Sequence, residues 1–244
     1  MRILAVDAGN SRIKWGVHDG SAWVTQSWVG TAEATRLAEL WSGLQQPAVL
    51  IASNVAGDKV AGELRKAAQS LNAPIELIAS CAQQCGVRSS YDDPSQLGPD
   101  RWAALIGAWH LCGGPSVVVN AGTTMTVDAL SRDGVFLGGV IVAGVDLMRE
   151  ALARSTAGLK KQEGRYTFFP ATTADAIMSG AVNALAGTIE RMQRFMHEAG
   201  EANPRVVLSG GAAAVVEAVL NGAVEVVDNL VLEGLLRIGQ EGKA

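Results

Sequence analysis

At 244 residues the chain can form one large domain or two small ones, and 48% of its residues are hydrophobic. That apolar share is sufficient for a substantial core. The formal net charge of −4 gives no basic footprint of the kind that nucleic-acid-binding proteins carry, and it argues against anionic membrane surfaces. We therefore expect a soluble protein without nucleic-acid or membrane partners, in which local positive groups bind any anionic ligand.

The N-terminus and the cysteines predict a cytoplasmic location. Met1–Asp7 runs directly into a strand pattern, without the cationic start or the cleavage site of a signal peptide. The longest apolar stretch, Val135–Val145, is about half as long as a membrane span. Cys81, Cys85 and Cys112 have neither a common zinc spacing nor the C-x-x-C spacing of redox sites, so we expect reduced thiols.

The first half of the chain opens with three predicted strands, which are joined by a turn and then by a hairpin. An apolar run that ends on a polar residue is typical of a buried strand, and the alternating run after it is typical of a half-buried strand. Asp19-Gly20 is a hairpin signal. The predicted elements are strands at 2–7, 12–17 and 21–28, a helix at 31–44, a strand at 49–52, a helix at 57–71 and a strand at 75–78.

The second half repeats this order after Gly113-Gly114-Pro115, which indicates a domain boundary. The segment Val119–Thr123 is similar to Val6–Asn10, and each stands at the start of its half. We therefore predict a duplicated βββα unit and two domains, 1–113 and 114–244. The predicted elements are strands at 117–120, 125–130 and 135–142, helices at 146–156 and 173–199, a strand at 205–208 and a helix near 212–220.

Each half has a glycine turn directly after its first strand. Glycine lets the backbone approach a ligand closely, so that N–H groups can point at an anion. In the first turn Asn10 and Ser11 add donors, Lys14 adds a positive charge, and Asp7 offers a carboxylate that suits hydrated Mg²⁺. The second turn, at 121–124, has the same glycine and hydroxyl groups. Phosphate binding is one interpretation of these turns, and ordinary hairpin connections are the other.

The segment around Asp100 is the most specific feature of the sequence. Pro99 suits the first turn of a helix that runs to Leu111. Asp100 and Arg101 then lie in that first turn, where the helix dipole stabilises a carboxylate, so a structural acid is one interpretation. In the functional alternative, Asp100 accepts the proton of a substrate hydroxyl and Arg101 binds an anionic group of the substrate.

Taken in order, these motifs resemble those of the type III pantothenate kinase family. The resemblance runs from residue 1 to about 215. It is carried by Asp7-Ala8-Gly9-Asn10-Ser11 with Lys14, Tyr91 with Gly98-Pro99-Asp100-Arg101, Gly122-Thr123 with Asp128, and the segments 138–152 and 173–180. It implies an α/β fold of two actin-like (ribonuclease H-like) domains with an interdomain cleft. It also implies ATP-dependent phosphorylation of pantothenate at its primary hydroxyl, the first step of coenzyme A biosynthesis.

The resemblance also implies the site residues. The residues implied for ATP are Asp7, Ala8, Gly9, Asn10, Ser11, Arg12, Ile13, Lys14 and Thr123, with Asp7 near Mg²⁺, to which it is bound through water. The residues implied for pantothenate are Tyr91, Gly98, Pro99, Asp100, Arg101 and Thr173, with Asp100 as the catalytic base.

The position of Asn120 departs from the family pattern. Family members commonly hold a monovalent cation, K⁺ or NH₄⁺, with an aspartate there. An amide offers one oxygen but no charge, so the cation requirement is open. The resemblance further implies a homodimer. Two alternative functions stay open: another small-alcohol kinase of the same superfamily, and a nucleotide-binding regulatory protein of the Bvg accessory factor type without relevant turnover. Asn120 favours the regulatory alternative. The charged residues Asp7, Lys14, Asp100 and Arg101 favour an enzyme.

Overall fold

The computed structural model describes residues 1–156, 158–159 and 162–241. The strands and helices, in chain order, are β1 (Ile3–Ala8), β2 (Arg12–His18), β3 (Trp23–Gly30), α1 (Leu37–Trp41), β4 (Val49–Asn54), α2 (Asp58–Ser70), β5 (Ile75–Leu77), β6 (Gln83–Gln84), β7 (Val87–Ser89), α3 (Pro99–Cys112), β8 (Ser116–Ala121), β9 (Thr124–Leu130), β10 (Val135–Ala143), α4 (Val145–Ser155), α5 (Thr173–Glu198), β11 (Arg205–Ser209), α6 (Ala213–Glu217), β12 (Val224–Val226) and α7 (Leu230–Gln240). Short 3-10 helices lie at Thr31–Arg36 and Pro94–Gln96. No helix of the described residues is both long and apolar enough to span a membrane.

The chain divides into two compact units, which we call unit 1 and unit 2. Unit 1 comprises Met1–Leu111 and the C-terminal segment from Asn229 onward, and unit 2 comprises Cys112–Asp228. The predicted domains, 1–113 and 114–244, differ from these units in the C-terminal segment, because α7 packs against β1 and β4 of unit 1. Residues 242–244 of the second predicted domain lie outside the described residues. The domain boundaries themselves stay a prediction.

The two units are built on the same strand pattern. In unit 1 the order is β3-β2-β1-β4-β5, with an antiparallel meander of β1 to β3 and parallel pairing of β1 with β4 and of β4 with β5. In unit 2 the order β10-β9-β8-β11-β12 repeats those orientations strand for strand. The predicted α/β fold with a duplicated βββα unit is confirmed.

The duplication extends to the burial of single residues. β1 and β8 each have four buried residues, then one half-buried residue, then a buried alanine. β2 and β9 likewise share one pattern, in which only the first and third residues are not buried. The half-buried position is Asp7 in β1 and Asn120 in β8. These two residues therefore occupy equivalent places in the repeated fold.

Alternation along β1 separates two faces of the unit 1 sheet. Leu4, Val6 and Ala8 belong to a core that includes residues of α1 and α2. Ile3, Ala5 and Asp7 point to the opposite face, on which α7 lies. A Cβ added at Gly239 of α7 would be 3.2 Å from Ile3 Cδ1. The Asp7 side chain thus belongs to the α7 face of the sheet.

Helices α3 and α7 pack with their backbones in direct contact. A Cβ added at Gly234 of α7 would lie 1.7 Å from the Ala103 carbonyl oxygen of α3. A Cβ added at Gly107 of α3 would lie 2.6 Å from the Leu230 carbonyl oxygen. Glycine is required at both positions because any side chain would separate the helices. The contact fixes α3, and with it Asp100, relative to the unit 1 sheet.

Most predicted elements are present, and the exceptions have local causes. The predicted helix 31–44 is a 3-10 helix followed by α1, because Glu33 has non-helical dihedrals (φ −96°, ψ 15°). The helix predicted near 212–220 is only five residues long, as α6. The hairpin of β6 and β7, the strand β12 and the helix α7 were not predicted. The β6–β7 hairpin and α7 lie outside the repeated strand pattern, whereas β12, a strand of three residues, is the unit 2 counterpart of β5.

Candidate active site

The turn between β1 and β2 is braced by its own backbone and by Thr31. Gly9 N–H donates to the Arg12 carbonyl oxygen (3.0 Å), and Thr31 N–H donates to the Ser11 carbonyl oxygen (3.1 Å). The Thr31 hydroxyl donates to the Gly9 carbonyl oxygen (2.7 Å). Asn10, Ser11 and Arg12 are exposed. The turn is therefore ordered by internal bonds and presents polar groups outward.

Two of the residues implied for ATP have side chains in the core. Ala8 and Ile13 are fully buried and belong to the cluster that packs against α1 and α2. Any contact of theirs with a ligand is consequently restricted to the backbone. The Arg12 guanidinium, in contrast, lies over the exposed Trp28 ring, 4.3 Å from the centroid, which is cation–π geometry.

Asp7 belongs to a row of polar side chains that crosses three neighbouring strands. Asp7 is opposite Lys14 of β2 on one side and opposite Ser53 of β4 on the other. Residues directly opposite each other point to the same face of a sheet. The Ser53 hydroxyl donates a hydrogen bond of 2.8 Å to Asp7 Oδ1. The carboxylate therefore lies between a cation and a hydroxyl donor.

The pKa of the Asp7 carboxyl is raised from 3.8 to about 6, and burial is the main cause. The hydrogen bond from Ser53 and the positive charge of Lys14 lower this pKa, whereas the negative charge of Asp100 raises it. Charges influence a pKa in this way when they are close together. The structure thus brings together Asp7 from a strand end, Lys14 from the next strand and Asp100 from a helix start, all within unit 1.

The start of α3 is arranged around the Asp100 carboxylate. Asp100 Oδ1 accepts a hydrogen bond of 2.9 Å from the backbone N–H of Arg101. A Cβ added at Gly98 would lie 2.6 Å from the same oxygen, so glycine leaves the space that the carboxylate occupies. Burial raises the pKa of Asp100, and the N–H and charge of Arg101 partly oppose this effect. A carboxylate with a raised pKa is a better proton acceptor near neutral pH.

The other residues implied for pantothenate in unit 1 are Pro99, Arg101 and Tyr91. Arg101 is buried, and Pro99 is the first residue of α3, where proline was predicted. Tyr91 is half-buried, and its backbone N–H donates to Ser89 Oγ (3.3 Å). Trp102 Nε1 donates to Gln84 Oε1 (3.1 Å), which connects α3 with the β6–β7 hairpin.

The turn between β8 and β9 of unit 2 is the structural counterpart of the Asp7 turn. Gly122 N–H donates to the Thr124 carbonyl oxygen (3.0 Å), and the Thr123 carbonyl oxygen accepts from Gly144 N–H (2.9 Å). Thr123 is exposed, and Asn120 is half-buried. Asn120 is opposite Thr126 on one side and Ser209 on the other, so the row here has no charged group.

Thr173 lies at a different place in unit 2, at the first position of α5. It lines an apolar pocket of about 410 Å³. The residues that line it are Met148, Leu152, Leu159, Thr173, Ala176, Ile177, Gly180 and Ala181. Arg149, which is buried, contacts a segment that follows α4 in the same chain. Its guanidinium donates to the Gln162 carbonyl oxygen (2.7 Å) and pairs with the Glu163 carboxylate (3.4 Å).

At the glycine turn of unit 1, the described residues offer a metal ion the Asp7 carboxylate rather than a cage of protein ligands. No group of three or more His, Cys, Asp or Glu side chains suited to a metal occurs among them. Mg²⁺ is commonly bound through one or two carboxylates together with waters and substrate phosphates. Asp7 fits this mode, because its ligand atoms are carboxylate oxygens and Ser53 engages only Oδ1.

Ser53 and Thr31 were not predicted as site residues, although both contact residues that were. Ser53 ends the apolar part of β4, but its bond to Asp7 depends on strand pairing across 46 residues. Thr31 lies 22 residues from Gly9. The only local signal was a polar residue at the end of a buried strand, the same signal that identified Asp7.

Comparison with solved structures defines the class of fold. The ethanolamine utilization protein EutJ of Carboxydothermus hydrogenoformans matches with a TM-score of 0.55 and 14% identity, covering 99% of this chain and 90% of that one. MreB5 of Spiroplasma citri bound to ADP matches with a TM-score of 0.53 and 12% identity, covering 99% and 96%. At these identities the likeness concerns the fold alone, a mixed α/β fold with two sheets.

Comparison of sequences defines the family. The family model of type III pantothenate kinase matches residues 3–194. The type III pantothenate kinase of Nitrosospira multiformis is 46% identical over 239 residues, covering 98% of this chain and 91% of that protein. That of Aromatoleum aromaticum is 46% identical over 242 residues, covering 99% of each. The chain belongs to the type III pantothenate kinase family.

Proposed function

We infer that the chain is an ATP-dependent pantothenate kinase, which phosphorylates the primary hydroxyl of pantothenate in the first step of coenzyme A biosynthesis. Family membership over nearly the whole chain supports this inference. The structural observation that carries it is the proximity of Asp100, at the start of α3, to the Asp7–Lys14 pair, which is close enough for charge on Asp100 to change the pKa of Asp7.

The chemistry requires little from the protein beyond positioning and charge. Phosphoryl transfer passes through a loose transition state, so a kinase acts mainly by aligning the two substrates and by neutralising developing charge. In our proposal Asp100 accepts the proton of the attacking hydroxyl, and Arg101 binds the anionic group of pantothenate. Tyr91, Gly98, Pro99 and Thr173 complete the pantothenate contacts.

The proposed ATP contacts are Asp7, Ala8, Gly9, Asn10, Ser11, Arg12, Ile13, Lys14 and Thr123. Backbone N–H groups of the glycine turn and the Lys14 ammonium bind phosphate oxygens. Asp7 binds Mg²⁺ through the water ligands of the ion, which is a mode of coordination that one carboxylate fits. When bound, Mg²⁺ neutralises charge on the phosphate oxygens.

Three finer points belong to the same proposal. A monovalent cation, K⁺ or NH₄⁺, is assigned to Asn120, whose amide oxygen can be a ligand without supplying charge. A homodimer is proposed from the family resemblance. A cytoplasmic location is proposed because Cys81, Cys85 and Cys112, all free thiols in the structure, fit a reducing compartment.

The test is an ADP-release assay with purified protein, ATP and Mg²⁺, at varied K⁺ and NH₄⁺ concentrations. We expect ADP formation with pantothenate and none with an analogue that carries hydrogen in place of the primary hydroxyl. A panel of other hydroxylated compounds separates this activity from that of another small-alcohol kinase. Absence of ADP formation with pantothenate at every cation concentration would contradict the proposal and favour the regulatory alternative.

A further inference from the structure

Ser53 is a buried polar residue at the end of an apolar strand. The four residues that precede it in β4, Val49–Ala52, are hydrophobic and buried, and Ser53 itself is 0% exposed. A buried hydroxyl is costly unless it makes a hydrogen bond. The bond that Ser53 makes is the one to Asp7 Oδ1, at 2.8 Å.

The chemistry of the pair determines the direction of this bond. An ionised carboxylate can only accept hydrogen bonds, so the Ser53 hydroxyl is the donor. A bond to one oxygen restrains rotation of the carboxylate, which otherwise has a broad range of χ2 angles. Because the bond engages Oδ1 alone, Oδ2 keeps its capacity for another ligand. Lys14, opposite Asp7 on β2, lies on the other side of the row.

The equivalent serine of unit 2 behaves differently. Ser209 of β11 is opposite Asn120, as Ser53 is opposite Asp7. The Ser209 hydroxyl, however, donates to the backbone carbonyl oxygen of Asp228 (3.4 Å). The repeated fold therefore has a serine at this place in both units, and a serine–carboxylate bond is found in the unit that has the carboxylate.

We propose that Ser53 is a positioning residue, which holds the Asp7 carboxylate in the orientation that binds the hydrated Mg²⁺ of MgATP. The inference rests on the proposed role of Asp7. Ser53 acts through Asp7 and does not touch the substrates. Residues that orient a metal-binding carboxylate in this way commonly contribute about 10–100-fold to metal affinity or activity.

The deciding variant is Ser53→Ala, which removes one oxygen and leaves the strand intact. We expect the Mg²⁺ concentration for half-maximal turnover to rise about 10-fold and kcat to fall. The KM for pantothenate is expected to change less than about twofold, because Ser53 acts only on the metal side of the site. Ser53→Thr keeps the hydroxyl and is expected to restore the wild-type Mg²⁺ dependence.

A second measurement does not depend on turnover. Isothermal titration calorimetry of ADP binding, with and without Mg²⁺, gives the gain in affinity that Mg²⁺ provides. In Ser53→Ala this gain is expected to be about 10-fold smaller than in the wild type, while metal-free ADP binding is unchanged. If the wild type formed no ADP with pantothenate, the proposed function would fail, and calorimetry would still test Ser53.

Ser116→Ala is the matched control, because Ser116 is also 0% exposed and donates to a backbone oxygen, that of Gly114, at 3.0 Å. It is expected to behave as the wild type in both measurements. The inference is overturned if Ser53→Ala keeps wild-type Mg²⁺ dependence, or if Ser116→Ala loses as much. A Ser53→Thr variant that unfolds at the wild-type temperature without recovering Mg²⁺ dependence would overturn it as well.

Discussion

The two units share one scaffold but differ in charge at its central position. In unit 1 the row across the sheet contains Asp7, with Lys14 and Ser53 on its two sides. In unit 2 the corresponding row contains Asn120, with Thr126 and Ser209. Burial patterns of the strands are the same in both. The duplicated fold thus provides two equivalent places, and only one of them is equipped with ionisable groups.

This difference shows how one fold can support two tasks. A half-buried carboxylate is costly to ionise, as the raised pKa of Asp7 shows. We expect a protein to retain this cost of ionisation only where it needs the charge. A neutral amide, such as that of Asn120, does not have this cost. Unit 1 also carries α3 and α7 on the Asp7 face, with Asp100 at the start of α3. We interpret unit 1 as the unit that supplies the acid–base and metal-binding groups.

The largest effect is expected when Asp7 of unit 1 is replaced by asparagine, the residue at the equivalent place in unit 2. Asp7→Asn removes the carboxylate proposed for Mg²⁺, and we expect kcat to fall about 10²–10³-fold, the usual effect of losing one preorganised electrostatic group. Steady-state ADP release measures this. Activity within about threefold of the wild type would contradict the role of Asp7.

The same variant is expected to be more stable at neutral pH. The folded-state pKa of about 6 exceeds the ordinary 3.8, so the contribution of Asp7 to stability is full below pH 3.8 and is lost as the pH rises through 6. Asparagine has no such loss. Without nucleotide and Mg²⁺, the free energy of unfolding of Asp7→Asn should exceed that of the wild type by about 1–2 kcal/mol at pH 8, and by less at pH 4. Denaturant titrations at both pH values measure the gap, and an equal gap would contradict the pKa argument.

A smaller effect is expected when the packing of α3 on α7, which positions Asp100 in unit 1, is disturbed. In Gly234→Ala the new Cβ would approach the Ala103 carbonyl oxygen to 1.7 Å, so α3 and α7 must separate. We expect a loss of about 1–3 kcal/mol in the free energy of unfolding, with lower turnover. Gly62→Ala in α2 is the matched control, because nothing lies within 4 Å of its added Cβ. Equal stability of both variants would contradict the close packing of α3 on α7.

The smallest effect is expected when a negative charge is introduced at Asn120 of unit 2. Asn120→Asp adds a carboxylate at the place in unit 2 that is equivalent to Asp7 of unit 1. If this position binds a monovalent cation, the K⁺ concentration for half-maximal activity should fall by about fivefold, equivalent to ~1 kcal/mol of charge attraction at a partly solvated site. Titration of activity with K⁺ measures the shift. An unchanged K⁺ dependence would contradict the assignment of the cation to this position.

Much of the fold could be predicted because its signals are local. The apolar run of β1, the alternation of β2 and the turn that contains Gly9 are each readable within ten residues. The start of α3 was predicted from Pro99 in the same way. Asp7 and Asp100 were selected as a strand-end acid and a helix-start acid. Their proximity, however, depends on the packing of α3 and α7.

What the sequence did not reveal depends on contacts between distant residues. Helix α7 has a narrow polar face, in which Glu233, Arg237 and Gln240 are spaced four and three residues apart, but its two glycines, Gly234 and Gly239, weaken the helical signal and it was not predicted. The first serves contact with α3 and the second contact with the β1 face. Ser53 was missed because strand register decides its partner, and register cannot be derived from β4 alone.

The account depends most on Asp100 as the proton acceptor for the pantothenate hydroxyl. Asp100→Asn keeps the shape of the residue and removes the base, so single-turnover and steady-state rates measured together with ATP affinity test this role directly. We predict that turnover falls by about 10²–10⁴-fold while ATP affinity stays near that of the wild type. Near-normal turnover in Asp100→Asn would contradict the account.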